Sequence, residues 1–104
     1  MKLSDFLARR NLPVSTSSKD FFGPWTQTGD LTERKLRSYL AAAAGRFAAY
    51  VAHMGLTLDP EATVKFKRAL INKDFGVGVW IAVASPNGTE TYVANRKVVA
   101  HVAG

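Results

Sequence analysis

Arg34, Lys35 and Arg37 stand together at the head of an alanine-rich stretch, and theirs are the side chains whose type and spacing point most directly to a chemistry. That chemistry is attraction to a polyanion. Guanidinium and ammonium groups pair with phosphate or carboxylate oxygens, Arg through a planar two-pronged fork. In a helical stretch these cations occupy the first two turns, where the peptide dipole is already positive. Each is unfavourable there by about 0.3–1 kcal/mol at low salt. An anion supplied from outside would relieve the conflict. Lys65, Lys67 and Arg68 form a second basic group. On a helix they scatter around the axis; on a strand Lys65 and Lys67 make a solvated face. These six residues are the candidate contacts to nucleic acid or to an acidic protein, with Tyr39 or Trp25 available for stacking.

A second constellation is aromatic. Phe21, Phe22 and Trp25 crowd around Gly23-Pro24, a pair that interrupts both helix and sheet. Large rings in a loop are either buried as a clip over the long helix or the back of a sheet, or exposed as a docking surface for bases or a partner protein.

Other chemistries lack their residues. The chain has no Cys, which removes disulfides, thiol nucleophiles and thiolate metal sites together. His53 and His101 fall on different predicted elements without the three or four ligands a zinc site needs. Asp59 and Glu61 have a capping role, leaving Asp74 and Glu90 without an acid–base partner pattern. The Gly76-Val77-Gly78 run opens a strand and lacks the third glycine of a phosphate loop. The serines at 15, 17 and 18 have no identifiable base. A non-enzymatic protein without metal or cofactor is the expectation.

Fourteen Lys and Arg against eight Asp and Glu give a net charge of +6, which favours polyanions without choosing among them. The first twelve residues carry Asp5 and no long apolar run, so no secretory signal is expected, and no stretch reaches membrane-spanning length. A cytoplasmic protein without a membrane partner is the resulting expectation.

The elements that must position these residues follow from pattern. The sequence predicts one long helix over 30–55, with Asp30 as cap, Glu33 completing an acidic capping box and Gly55 closing the last turn. Leu36, Leu40, Ala43, Phe47, Tyr50 and Met54 recur at alternating spacings of four and three as its apolar seam. Ser38, Ala41, Ala42, Gly45, Ala49 and Ala52 make the opposite face small, which suits a close approach to a groove of DNA, close packing of another helix, or helix propensity alone. A short helix is predicted within 1–12, capped by Ser4 and stopped by Pro13. Asp59-Pro60-Glu61 reads as a helix start and predicts a second helix through about residue 72, although 63–67 also alternates as a strand would.

From Gly76 the pattern is β. Residues 76–85 are apolar on both faces, as in a central strand covered on both sides. Ser85-Pro86-Asn87-Gly88 turns the chain, 89–94 pairs back, Asn95-Arg96 turns again and 97–103 forms a last strand. The fold expected is α+β: N-terminal helices with one long central helix packed on a small C-terminal antiparallel meander. Residues 1–29 hold the short helix and aromatic loop, and 30–104 form the α+β domain. The second sheet face awaits a cover from the aromatic loop or a second copy of the chain.

Two functions fit. One is a small basic module binding nucleic acid, or a nucleic-acid-handling complex, through the basic helix end. The other is an adaptor, inhibitor or assembly subunit, of the kind viruses and mobile elements encode to block a host complex, anchored by Phe21, Phe22 and Trp25. A homodimer through the alanine face or a sheet edge is a third option.

Overall fold

The computed structural model describes residues 1–15, 17–22, 32–72, 76–86, 88–94 and 99–102, with backbone alone at 68–72, 76–78 and 102. It is an α+β fold in two layers: α1 (Leu3–Leu7) and α2 (Glu33–Met54) on one side, and a four-stranded antiparallel meander on the other. The strands are β1 (Thr63–Asn72), β2 (Gly76–Ser85), β3 (Gly88–Ala94) and β4 (Val99–Val102), in spatial order β1-β2-β3-β4.

α2 is the predicted long helix, about 33 Å long at about 1.5 Å per residue. Its cap is Thr32, whose hydroxyl accepts from the Lys35 N–H at 3.1 Å. The predicted cap Asp30 lies outside the described residues. The capping box does not form around Thr32, because the residue three positions on is Lys35 and cannot accept a backbone N–H in return. At the other end Gly55 adopts φ 64°, ψ 31°. The Gly55 N–H donates to Ala52 and the Leu56 N–H to Val51, the paired closure that a left-handed residue permits.

The seam holds through Leu36, Leu40, Ala43 and Phe47, all buried, and Tyr50 packs at the core's margin. Met54 departs from the expectation: it is 55% exposed, beyond the sheet's cover. Burying Leu36, Leu40 and Phe47 contributes roughly 1.5–3 kcal/mol per side chain. Phe47 meets the sheet edge-on at Tyr92, with ring centroids 4.9 Å apart.

The second predicted helix is instead β1. The Asp59 side chain does accept an N–H, that of Glu61 at 2.9 Å, and Asp59 O accepts from Ala62. Those bonds close a tight turn, and no helix follows. The period-two alternation then governs: Val64 and Phe66 are fully buried while Thr63 and Lys65 are exposed. β1 pairs along its length with β2, from Thr63↔Ala84 to Asn72↔Gly76, with an irregularity near Leu70.

α1 is shorter than predicted. Its cap position is Lys2, with no side-chain bond, and not Ser4. It ends at Leu7, well before Pro13. The Arg9 N–H donates to Phe6 and the Arg10 N–H to Asp5, with Arg9 at φ 57°. This is the closure seen at Gly55, built on a residue with a Cβ. Asn11 is also left-handed, at φ 53°.

The N-terminal residues complete the sheet's β1 edge and its core. The Leu3 N–H donates to Ala62 and the Val64 N–H to Met1, around a bridge between Lys2 and Thr63. The Phe66 N–H donates to Asp20 and the Phe22 N–H to Phe66, around a parallel bridge between Phe21 and Phe66. Leu3, Phe6 and Phe21 lie in one cluster with α2 and the inner sheet face. The turn predicted at 95–96 lies outside the described residues.

Candidate functional site

Side-chain alternation gives the sheet an inner face under α2 and an outer face on the opposite side of the molecule. This divides the six candidate cations. Arg34, Lys35 and Arg37 are exposed on α2. Lys65 is exposed and Lys67 half-exposed on the outer sheet face, each alternating with a fully buried residue. Arg68 pairs with Val79 in the backbone register, and its side chain lies outside the described residues. One continuous site made of all these residues is not what the fold assembles.

On α2 the positions of Arg34, Ser38 and Gly45 lie within about 40° of one another around the axis, opposite the buried Leu36, Phe47 and Leu40. Ala42, Ala49 and Ala52 are exposed beside them. The outward face is therefore a shallow floor of short side chains with Arg34, Lys35 and Arg37 at its N-terminal end and half-exposed Arg46 on its flank.

Arg9 joins this face from outside the helix. Its guanidinium lies directly over Gly45, where a Cβ would collide with Nη2 and stand 3.5 Å from Cζ. Arg9 is itself the left-handed residue that closes α1. A Cβ in that region costs about 1–2 kcal/mol. Sequence reasoning missed Arg9. The available signal was Gly45 itself, an isolated glycine inside a run of the best helix former.

Glu33 stands in the first turn of α2 beside these cations, and three other carboxylates are paired away from them. Asp5 pairs with Arg10 at 3.7 Å, Glu61 with Lys2 at 3.0 Å, and Asp20 with the Met1 ammonium. Glu61 holds the Lys2 ammonium above its ordinary value, through a hydrogen bond and its charge. Among the described residues, Arg9, Arg34, Lys35, Arg37 and Arg46 have no carboxylate within 4.0 Å.

The aromatic constellation is divided too. Phe21 is 9% exposed and packs on Phe66 with centroids 5.7 Å apart, which fits the clip and removes Phe21 from any exposed docking surface. Its ring joins the inner face, so it does not cover the outer one. Phe22 is half-buried, and Trp25 lies outside the described residues. Tyr39 is half-buried against the core.

Among the described residues no three His, Cys, Asp or Glu side chains gather as a metal site requires, and no helix is long and apolar enough to cross a membrane. A cavity of about 300 Å³ is lined by Asp59, Ser85 and Glu90 among others. Both its carboxylates are engaged, Asp59 with the Glu61 N–H and Glu90 with the Tyr92 hydroxyl. Burial, reinforced by Glu90, raises the Tyr92 hydroxyl far above its ordinary value, so it remains a neutral donor. His53 and His101 are exposed on separate elements. No family model, curated protein or solved structure matches the chain, so its own geometry carries the functional reading.

Proposed function

We propose that this protein is a small basic module that binds nucleic acid through the outward face of α2. The supporting observation is the group Arg9, Arg34, Lys35, Arg37 and Arg46, at the surface without a carboxylate within 4.0 Å among the described residues. Arg34 to Arg46 spans about 18 Å of helix axis, and Arg9, over Gly45, adds a cation at the Arg46 end. A helix about 10–12 Å across matches a major groove about 12 Å wide, the more so when the inserted face is Ser38, Ala42 and Ala49. Phosphates near the first turns would also relieve the unfavourable cations at the dipole's positive end.

The test is a gel shift of a duplex DNA probe across a salt series. Binding weakens steeply with salt, because each neutralised phosphate releases condensed counterions. Arg34→Ala with Arg37→Ala lowers the log–log salt slope by about 1.8 if each contacts one phosphate. An unchanged slope and affinity in that double variant would remove the α2 face. The adaptor alternative retains Phe22 and Trp25 as anchors without Phe21. A pull-down from nuclease-treated lysate distinguishes it, since a protein partner survives the nuclease.

A further inference from the structure

The outer sheet face brings lysines and an indole together across strands. The pairing register aligns Lys65 with Ala82 and Thr91, and Lys67 with Trp80, Val93 and Ala100. Trp80 is half-exposed, with Lys67 on one side and Val93 on the other. Val93 is 5% exposed although it lies outside the main core cluster, so this face has a small apolar floor of its own. Ala82, Ala84 and Ala100 raise little bulk around it.

Lys65 also lines a cleft of about 370 Å³ at the β1 edge with Met1, Lys2, Lys19, Asp20 and Thr63. Of its charged groups, Lys2 is answered by Glu61 and the Met1 ammonium by Asp20. Lys19, Lys65 and Lys67 have no carboxylate within 4.0 Å among the described residues.

We propose that this face is a binding site for single-stranded nucleic acid, separate from α2 and facing the other way. Phosphates follow Lys67, Lys65 and Lys19 along the β1 side, and an unpaired base stacks on Trp80. The indole selects the ligand class. In a duplex both faces of each base are covered by its neighbours, whereas an unpaired base offers a π-face. An acidic peptide would satisfy the lysines but leave the indole without a stacking partner.

The experiment titrates the full chain with fluorescein-labelled oligodeoxythymidylate and with a duplex of equal length. In a Trp25→Phe background Trp80 is the only indole, since the chain has two Trp. Its fluorescence falls as the single strand binds. Trp80→Ala weakens single-strand binding by about 5- to 150-fold, and Trp80→Phe restores most of it. Lys65→Ala with Lys67→Ala, both away from the core, lowers the single-strand salt slope by about 1.4.

Absence of quenching, or an unchanged slope in the lysine variant, overturns the proposal even if Trp80→Ala fails to fold. Arg34→Ala with Arg37→Ala separates it from the α2 reading. Loss of single-strand binding in that variant alone sinks the sheet site and spares the helix. Loss in the lysine variant alone, with duplex binding unmoved by either, does the reverse.

Discussion

Both helices end in the same backbone turn, one on Gly55 and the other on Arg9. In each, two N–H groups reach back to otherwise open carbonyls around a left-handed residue, at φ 64° and φ 57°. At Gly55 nothing stands within 4 Å of where a Cβ would be, and glycine adopts the conformation without strain. At Arg9 the chain carries a Cβ in that region and gains a guanidinium laid over Gly45. The contrast separates a turn that only ends a helix from one that also positions a side chain. It also gives Gly45 a meaning: the guanidinium of Arg9 rests where a Cβ would stand.

The comparison can be tested at three positions, each read by urea denaturation and, for the last two, by the duplex gel shift. Gly55→Ala forces a Cβ into the left-handed region with no new contact, and stability falls by about 1–2 kcal/mol. Arg9→Gly relieves the same strain in reverse. Stability rises by about 0.5–1 kcal/mol, net of the greater freedom of glycine in the unfolded chain, while duplex binding weakens. A loss of stability there would mean the guanidinium contributes more to packing than its turn costs.

Gly45→Ala has the smallest effect on duplex binding and is the most specific. It keeps every charge but displaces the Arg9 guanidinium, the end of a flexible side chain that can move away. Alanine's helix propensity adds up to about 1 kcal/mol of stability. Duplex affinity falls less than in Arg9→Gly, because the cation is relocated and not lost. Equal affinity in wild type and Gly45→Ala would show that the position of Arg9 is immaterial and only its charge counts.

Elements specified by their own residues were legible in the sequence. α2 follows from its apolar spacing and Gly55, and β2 with its turn from a β-rich run ended by Ser85-Pro86. β1 was misread because Asp59-Pro60-Glu61 makes the same local hydrogen bond in a turn as at a helix start. What decides between them is the pairing of Thr63–Asn72 with β2, which lies beyond the tripeptide. The end of α1 carried no signal, since arginine is an uncommon left-handed residue. For the same reason the cation over α2 was invisible, although its imprint, Gly45, was not. The division of the basic residues between opposite faces follows from 63–72 being a strand, which the alternation of Lys65 and Lys67 allowed but did not decide.

The two N-terminal stretches that hydrogen-bond to β1 have a consequence for how the molecule assembles. The meander closes through short hairpins, but Met1 reaches Val64 across 63 positions, and Phe21 meets Phe66 across about 45. Loop-closure entropy makes these joins late events, after the hairpins and the long helix have formed. Until then the ten-residue β1 has one unpaired margin with Val64 and Phe66 along it. A nascent or heat-loosened molecule would expose that margin to the same strand of another copy, making it the place where misassembly starts.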